Sequence, residues 1–143
     1  MSLKRGAVLL VLAVVIGIAG YSYLGEGHLG DADDGGGPPI AAVSMPETLS
    51  ARARAGQRAY DANCASCHGR NAAGQDGVAP PLVHVIYEPG HHGDESFQRA
   101  VARGVRAHHW RFGDMPPVEG LTRRDVAGIV AYVRELQHAN GIR

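Results

Sequence analysis

The sequence predicts an all-α fold in which three or more helices wrap around one bound group, behind an N-terminal apolar helix and a flexible linker. Apolar residues recur at three- and four-residue spacing in three separate segments beyond residue 50. No stretch alternates apolar and polar residues over a useful strand length. The first helical segment runs directly into Cys64-Ala65-Ser66-Cys67-His68, and those two cysteines are the only ones in the 143 residues. A chain of that length holds one domain of ordinary size plus extras.

The extras come first. Lys4 and Arg5 precede an uncharged stretch from Gly6 to Leu24, rich in Val, Leu, Ile and Ala. As a helix it would be about 28 Å long at about 1.5 Å per residue, close to the roughly 30 Å of a bilayer core. Residues 1–24 therefore predict a retained membrane anchor, or a signal peptide cut at the small-residue pattern Gly17-Ile18-Ala19. Tyr21 and Tyr23 suit an interfacial aromatic belt and favour the anchor. The leading positive charges then hold the N-terminus in the cytoplasm and send the rest across. Residues 25–50 carry Asp31, Asp33, Asp34, a run of three glycines and Pro38-Pro39, with few large apolar side chains. They predict a flexible tether with a mean reach of roughly 25 to 31 Å.

The domain proper is predicted over 51–143. Ser50 is a helix cap, and Ala53, Gly56 and Tyr60 share one face of the helix that follows it. A second helix is predicted from Asp94, with Glu95 in its first turn, Phe97, Ala100 and Val101 on one side and Gly104 as its stop. The third begins at Thr122, whose spacing to Asp125 makes a capping box. It repeats Val126, Ile129, Val130 and Val133, and ends at Asn140-Gly141.

Net charge over the full chain is formally zero. From residue 51 onward 12 arginines face 9 acids, a formal +3, too small to imply a nucleic-acid surface. The chemistry is concentrated in the cysteine motif. Two thiols at this spacing can each add to a vinyl group of one haem, and the adjacent His68 can turn beneath the ring to ligate iron. Other readings leave more unexplained. Structural zinc needs four ligands, and there is no second cysteine pair. A dithiol redox motif belongs in a βαβ setting, whereas the surroundings read as helix and Gly/Pro loop. An inert buried pair would leave His68 as coincidence, and residue type alone leaves a structural disulfide open.

With these elements in order, the region 51–143 resembles a class I cytochrome c. Gly56 and Tyr60 match the small and aromatic positions at which that family's first helix crosses its last, and Tyr132 matches the aromatic partner. The resemblance implies one covalent haem c, attached at Cys64 and Cys67. It also implies a proline carbonyl accepting from the second nitrogen of His68, at Pro80 with Pro81 as the alternative. Met115, 47 residues after His68 and just before Pro116-Pro117, matches the iron-binding methionine. Its soft, neutral thioether favours reduced iron. Met45-Pro46 has the same dipeptide but lies ahead of the first helix. Trp110 and Arg111 are candidate donors to a haem propionate, since neither side chain accepts.

Eight histidines are many for such a chain. A secondary copper or zinc site at His84, His91 and His92, and replacement of Met115 by His108 or His109 on iron, are the departures they suggest. The function implied is one-electron carriage in a periplasmic respiratory or related chain at the bacterial inner membrane. The implied donor is a quinol-oxidising complex or dehydrogenase, and the acceptor an oxidase or reductase. A haem enzyme with a labile distal ligand, and a copper-handling haem protein, are the alternatives.

Overall fold

The computed structural model describes residues 37–143. The apolar span expected within residues 1–24 lies outside them, as does the first part of the linker. Among the described residues no helix is long and apolar enough to cross a membrane. The described residues form four helices: α1 (Ala51–Asn63), α2 (Ala65–His68), α3 (Asp94–Arg103) and α4 (Arg123–Ala139). Short 3-10 turns occupy Arg70–Ala72 and Val85–Tyr87. Extended pairing among the described residues is limited to two isolated bridges, Gln75 with Ala79 and Val105 with Met115.

The starts of α1, α3 and α4 are marked chemically. The Ser50 hydroxyl accepts from Ala53 N at 3.1 Å, filling one of the donors a helix start leaves open. Gly93 precedes α3, and Asp94 and Glu95 set negative charge against its N-terminus. Thr122 and Asp125 form a reciprocal capping box on α4. Gly104 ends α3 at φ +71°, a conformation that costs a residue without a side chain little.

The core lies where α1 crosses α4. A Cβ on Gly56 would overlap the Gly128 carbonyl oxygen and sit 2.8 Å from Ile129 N, so the helix backbones touch there. Tyr60 and Tyr132 meet beside the crossing with ring centroids 5.5 Å apart. Ala53, Val133 and Leu136 complete a fully enclosed cluster with them. The Tyr60 hydroxyl donates to Gly69 O at 2.9 Å, and the Tyr132 hydroxyl to Asn71 Oδ1 at 3.2 Å. The crossing is thereby tied to the loop that follows the cysteine motif.

Residues 37–50 correct the expectation of a flexible linker up to residue 50. Ile40 N and Ala41 N both donate to Ala73 O, at 3.1 and 2.9 Å, and Asp76 N donates to Pro38 O at 3.0 Å. Ser44 and Asn140 exchange two bonds of 2.9 Å, and Ser50 N donates to Glu135 Oε2 at 3.0 Å. Val43 and Leu49 pack on the core. Composition misleads here because a segment poor in large apolar residues is still ordered when its backbone groups find fixed partners.

Candidate functional site

A cavity of about 610 Å³ opens beside the cysteine motif, within the size range of cofactor sites. Its walls include Cys64, Cys67 and His68 from the first helical region, Pro80 and Tyr87 from the long loop, and Trp110 and Met115 from the segment before α4. The two thiols are free, Cys64 half-buried and Cys67 exposed. Burial, reinforced by the neighbouring Cys67, pushes the Cys64 thiol up to about 11. At neutral pH it is a neutral thiol in an apolar wall, not a thiolate prepared for a metal.

Local backbone geometry aims His68. Gly74 has φ +74°, and a Cβ on it would come within 2.8 Å of Pro81 Cδ, so only glycine lets the Pro80-Pro81 strand lie against the motif. That approach puts Pro80 O 2.9 Å from His68 Nδ1. A carbonyl can only accept, so Nδ1 carries the hydrogen and Nε2 keeps its lone pair. Burial holds the His68 imidazole below its ordinary range, with the Pro80 bond opposing. The ring is thus neutral, oriented and able to ligate. Gln75 secures the turn that bears it, its Nε2 lying 3.2 Å from both Ala65 O and Ser66 O.

Met115 is held by its backbone. It exchanges two 2.9 Å bonds with Val105, and Gly104 sits so close to the Met115 carbonyl that a Cβ there would collide with it. Val118 N donates to Val101 O at 2.9 Å, closing the same loop onto α3. Pro116 and Pro117 stiffen the stretch between these ties.

Trp110 lines the cavity and Arg111 does not. Arg111 is exposed, and Arg99 and Arg106 are the arginines in the lining. This corrects the placement expected of Arg111, because neighbours in an irregular loop face different ways. The Trp110 ring stacks on Phe112 at 5.7 Å and meets His84 edge-on at 5.2 Å. Its Nε1–H is buried and makes no hydrogen bond of normal geometry, although it interacts with the Tyr87 hydroxyl. Burial pushes the nearby Tyr87 hydroxyl up to about 12, against an opposing effect of Trp110.

Free paired thiols, an oriented neutral imidazole and a thioether around one largely apolar cavity fit a haem. The residues able to hold it are Cys64, Cys67, His68, Trp110 and Met115.

Sequence reasoning missed the polar brace behind the cavity. Gln137, buried on α4, donates to Leu82 O at 2.8 Å and Tyr87 O at 3.0 Å. Arg134 donates to Tyr87 O and His92 O, each at 2.6 Å, pairs with Asp94 at 3.0 Å and lies over Phe97 at 5.1 Å. A glutamine within the apolar run of Val133 and Leu136 was the available signal, since a buried amide needs partners.

The expected trio of His84, His91 and His92 is also corrected. His84 Nδ1 accepts from Ile86 N at 3.2 Å, and His109 takes its place beside His91 and His92. Desolvation, then repulsion from His108, His92 and His91, holds the His109 imidazole below its ordinary range.

A family model described as Cytochrome c matches residues 53–137, more than half of the chain. No curated protein matches it.

Proposed function

The chain belongs to the cytochrome c family, a haem c electron-transfer protein in general terms, and we propose that it is a one-electron carrier with His68 and Met115 on the iron. Bound in this cavity, haem supplies one-electron chemistry at its iron. Cys64 and Cys67 hold the porphyrin edge as thioethers. His68 presents Nε2, and its bond to the Pro80 carbonyl strengthens donation and stops the ring from turning. Met115 would hold the iron with a soft sulfur that favours the reduced metal. Trp110 would donate to a propionate, and the Tyr87 and Phe97 side of the cavity would keep water out.

The observation that carries this reading is the 2.9 Å approach of His68 Nδ1 to Pro80 O, beside the cysteine pair and in the same cavity as Met115. If His68 and Met115 both hold the iron, no position is left open to a substrate, and the reading is carriage. In the proposed setting residues 1–24 anchor the protein in the bacterial inner membrane and the domain works in the periplasm. Its partners there are redox proteins: a quinol-oxidising complex or dehydrogenase as donor, an oxidase or reductase as acceptor.

The test is Met115→Ala. The purified wild type should retain haem through acid-acetone extraction and show the weak far-red band of sulfur-ligated oxidised iron. The variant should lose that band, fall in potential and gain affinity for carbon monoxide and cyanide. Rapid binding of these ligands by the wild type would put the haem-enzyme reading ahead. An unchanged Met115→Ala spectrum, with a changed one at His108 or His109, would replace the His/Met assignment.

A further inference from the structure

Electron carriage leaves a group of histidines unused where the loop around Val85–Tyr87 faces the segment after Val105. His91 Nε2 and His109 Nε2 lie 3.3 Å apart. One donor atom from each of His91, His92 and His109 falls within 4.8 Å of the others. Among the described residues this is the one such group of metal-ligating side chains. It contains no carboxylate.

The spacing matches a metal shell. With metal–nitrogen bonds of about 2.0–2.1 Å, two ligands at the tetrahedral angle sit about 3.3–3.4 Å apart. The His91–His109 separation needs no adjustment to meet that, and a His92 donor atom lies within 4.8 Å of both. His92 is prepared in the manner of a ligand: its Nδ1 lies 2.6 Å from Ile86 O, so Nδ1–H donates and Nε2 is left free. Arg134 fixes the backbone beneath it by donating to His92 O at 2.6 Å. His108 is adjacent, with its ring centroid 4.3 Å from that of His109 and its Nδ1 2.8 Å from Arg106 O.

We infer that His91, His92 and His109 form a binding site for one late first-row divalent metal ion, Zn²⁺ or Cu²⁺, held by three neutral imidazoles with a fourth position open. Imidazole suits both ions, and the usual order of affinities places copper above zinc. His92 and His109 also border the cavity assigned to haem, so the two sites adjoin, although none of the three histidines is an iron ligand in that reading. Its ligands join two stretches of chain far apart in sequence, so a bound ion stitches the loop bearing His91 and His92 to the segment that continues to Met115.

The test uses the full chain as purified, with any free thiol alkylated so that Cys64 and Cys67 cannot compete. Titration with Zn²⁺ against a chromophoric chelator, and with Cu²⁺ followed by electron paramagnetic resonance, should each give one equivalent bound, with nitrogen hyperfine structure for copper. Saturating zinc should block the copper signal. His91→Gln and His109→Gln should each weaken binding by more than about tenfold, while His138→Gln, on an exposed side chain at the end of α4, should not. Both His91 and His109 are exposed, so neither change opens the core. Circular dichroism checks each fold, and if one variant unfolds the other decides. Wild-type protein that binds no stoichiometric metal, or affinities that survive both substitutions, would overturn the inference.

Discussion

Replacing Gly56 by Ala places a methyl carbon inside the van der Waals envelope of the Gly128 carbonyl, 2.8 Å from Ile129 N. Both obstacles are backbone of the facing helix, so no rotamer change relieves them. The helices must separate at the point where Ala53, Tyr60, Ile129, Tyr132 and Val133 are sealed. Overpacking costs about 1–3 kcal/mol, occasionally more, and this site lies at the upper end because nothing flexible yields. The better helix propensity of Ala returns about 1 kcal/mol at most. A net loss of about 2 kcal/mol corresponds to a fall in Tm of roughly 8–16 °C, at about 4–8 °C per kcal/mol for a domain of this size. Gly128→Ala is the internal control. Its Cβ would meet Gly56 Cα at 3.4 Å, an ordinary contact, so it keeps the propensity gain and leaves Tm unchanged or up to about 8 °C higher. Thermal and denaturant melts at matched haem content measure both. Equal effects at the two glycines, or a Gly56→Ala loss below about 1 kcal/mol, would refute the close-crossing argument.

Two further outcomes are expected. The Thr122 hydroxyl and backbone N–H, 2.6 and 2.9 Å from Asp125 Oδ2, hold the Asp125 carboxyl below its usual range. A folded value below the unfolded one contributes stability fully above the unfolded carboxylate pKa of about 3.9, and loses it as pH falls through the folded value. The Tm gap between wild type and Asp125→Asn should therefore be constant near neutrality and close below about pH 4, whereas a gap that widens on acidification contradicts the cap. For the proposed anchor, membranes washed with high salt or carbonate should keep the protein, since apolar insertion is indifferent to screening. Release into the wash with a mature N-terminus near Gly20 would indicate a cleaved signal.

Helix ends were legible in the sequence because their chemistry is local. Ser50, the Thr122–Asp125 pair and Gly104 act on atoms within a few residues of themselves, so spacing alone reveals them. Gly56, Tyr60 and Tyr132 were legible through resemblance, and the crossing they form is the one observed. Gly128 was missed although its signal was present. A glycine inside an apolar helical repeat costs about 1 kcal/mol against Ala, so its presence there implies a close neighbour. Residues 37–50 were misread because hydropathy counts side chains, whereas this segment is held mainly by backbone amides reaching Ala73, Asn140 and Glu135.

The two halves of the cavity differ in the same way. Cys64, Cys67 and His68 occupy five consecutive residues, so their juxtaposition is a property of the chain before it folds. Trp110, Met115 and Arg106 come to the cavity only after α3 has ended at Gly104 and the Val105–Met115 pairing has turned the chain back, whereas Arg99 reaches it from α3 itself. All three arginines are exposed, and Arg99 and Arg106 border the cavity where Arg111 does not. The histidine cluster follows the same rule at longer range. His91 and His92 are visible as neighbours, but His109 joins them only because Arg134 pins one loop from α4 and the Met115 turn fixes the other. A change in either tie should therefore disturb the cavity wall and the histidine group together, although no residue is shared between the iron ligands and the histidine trio.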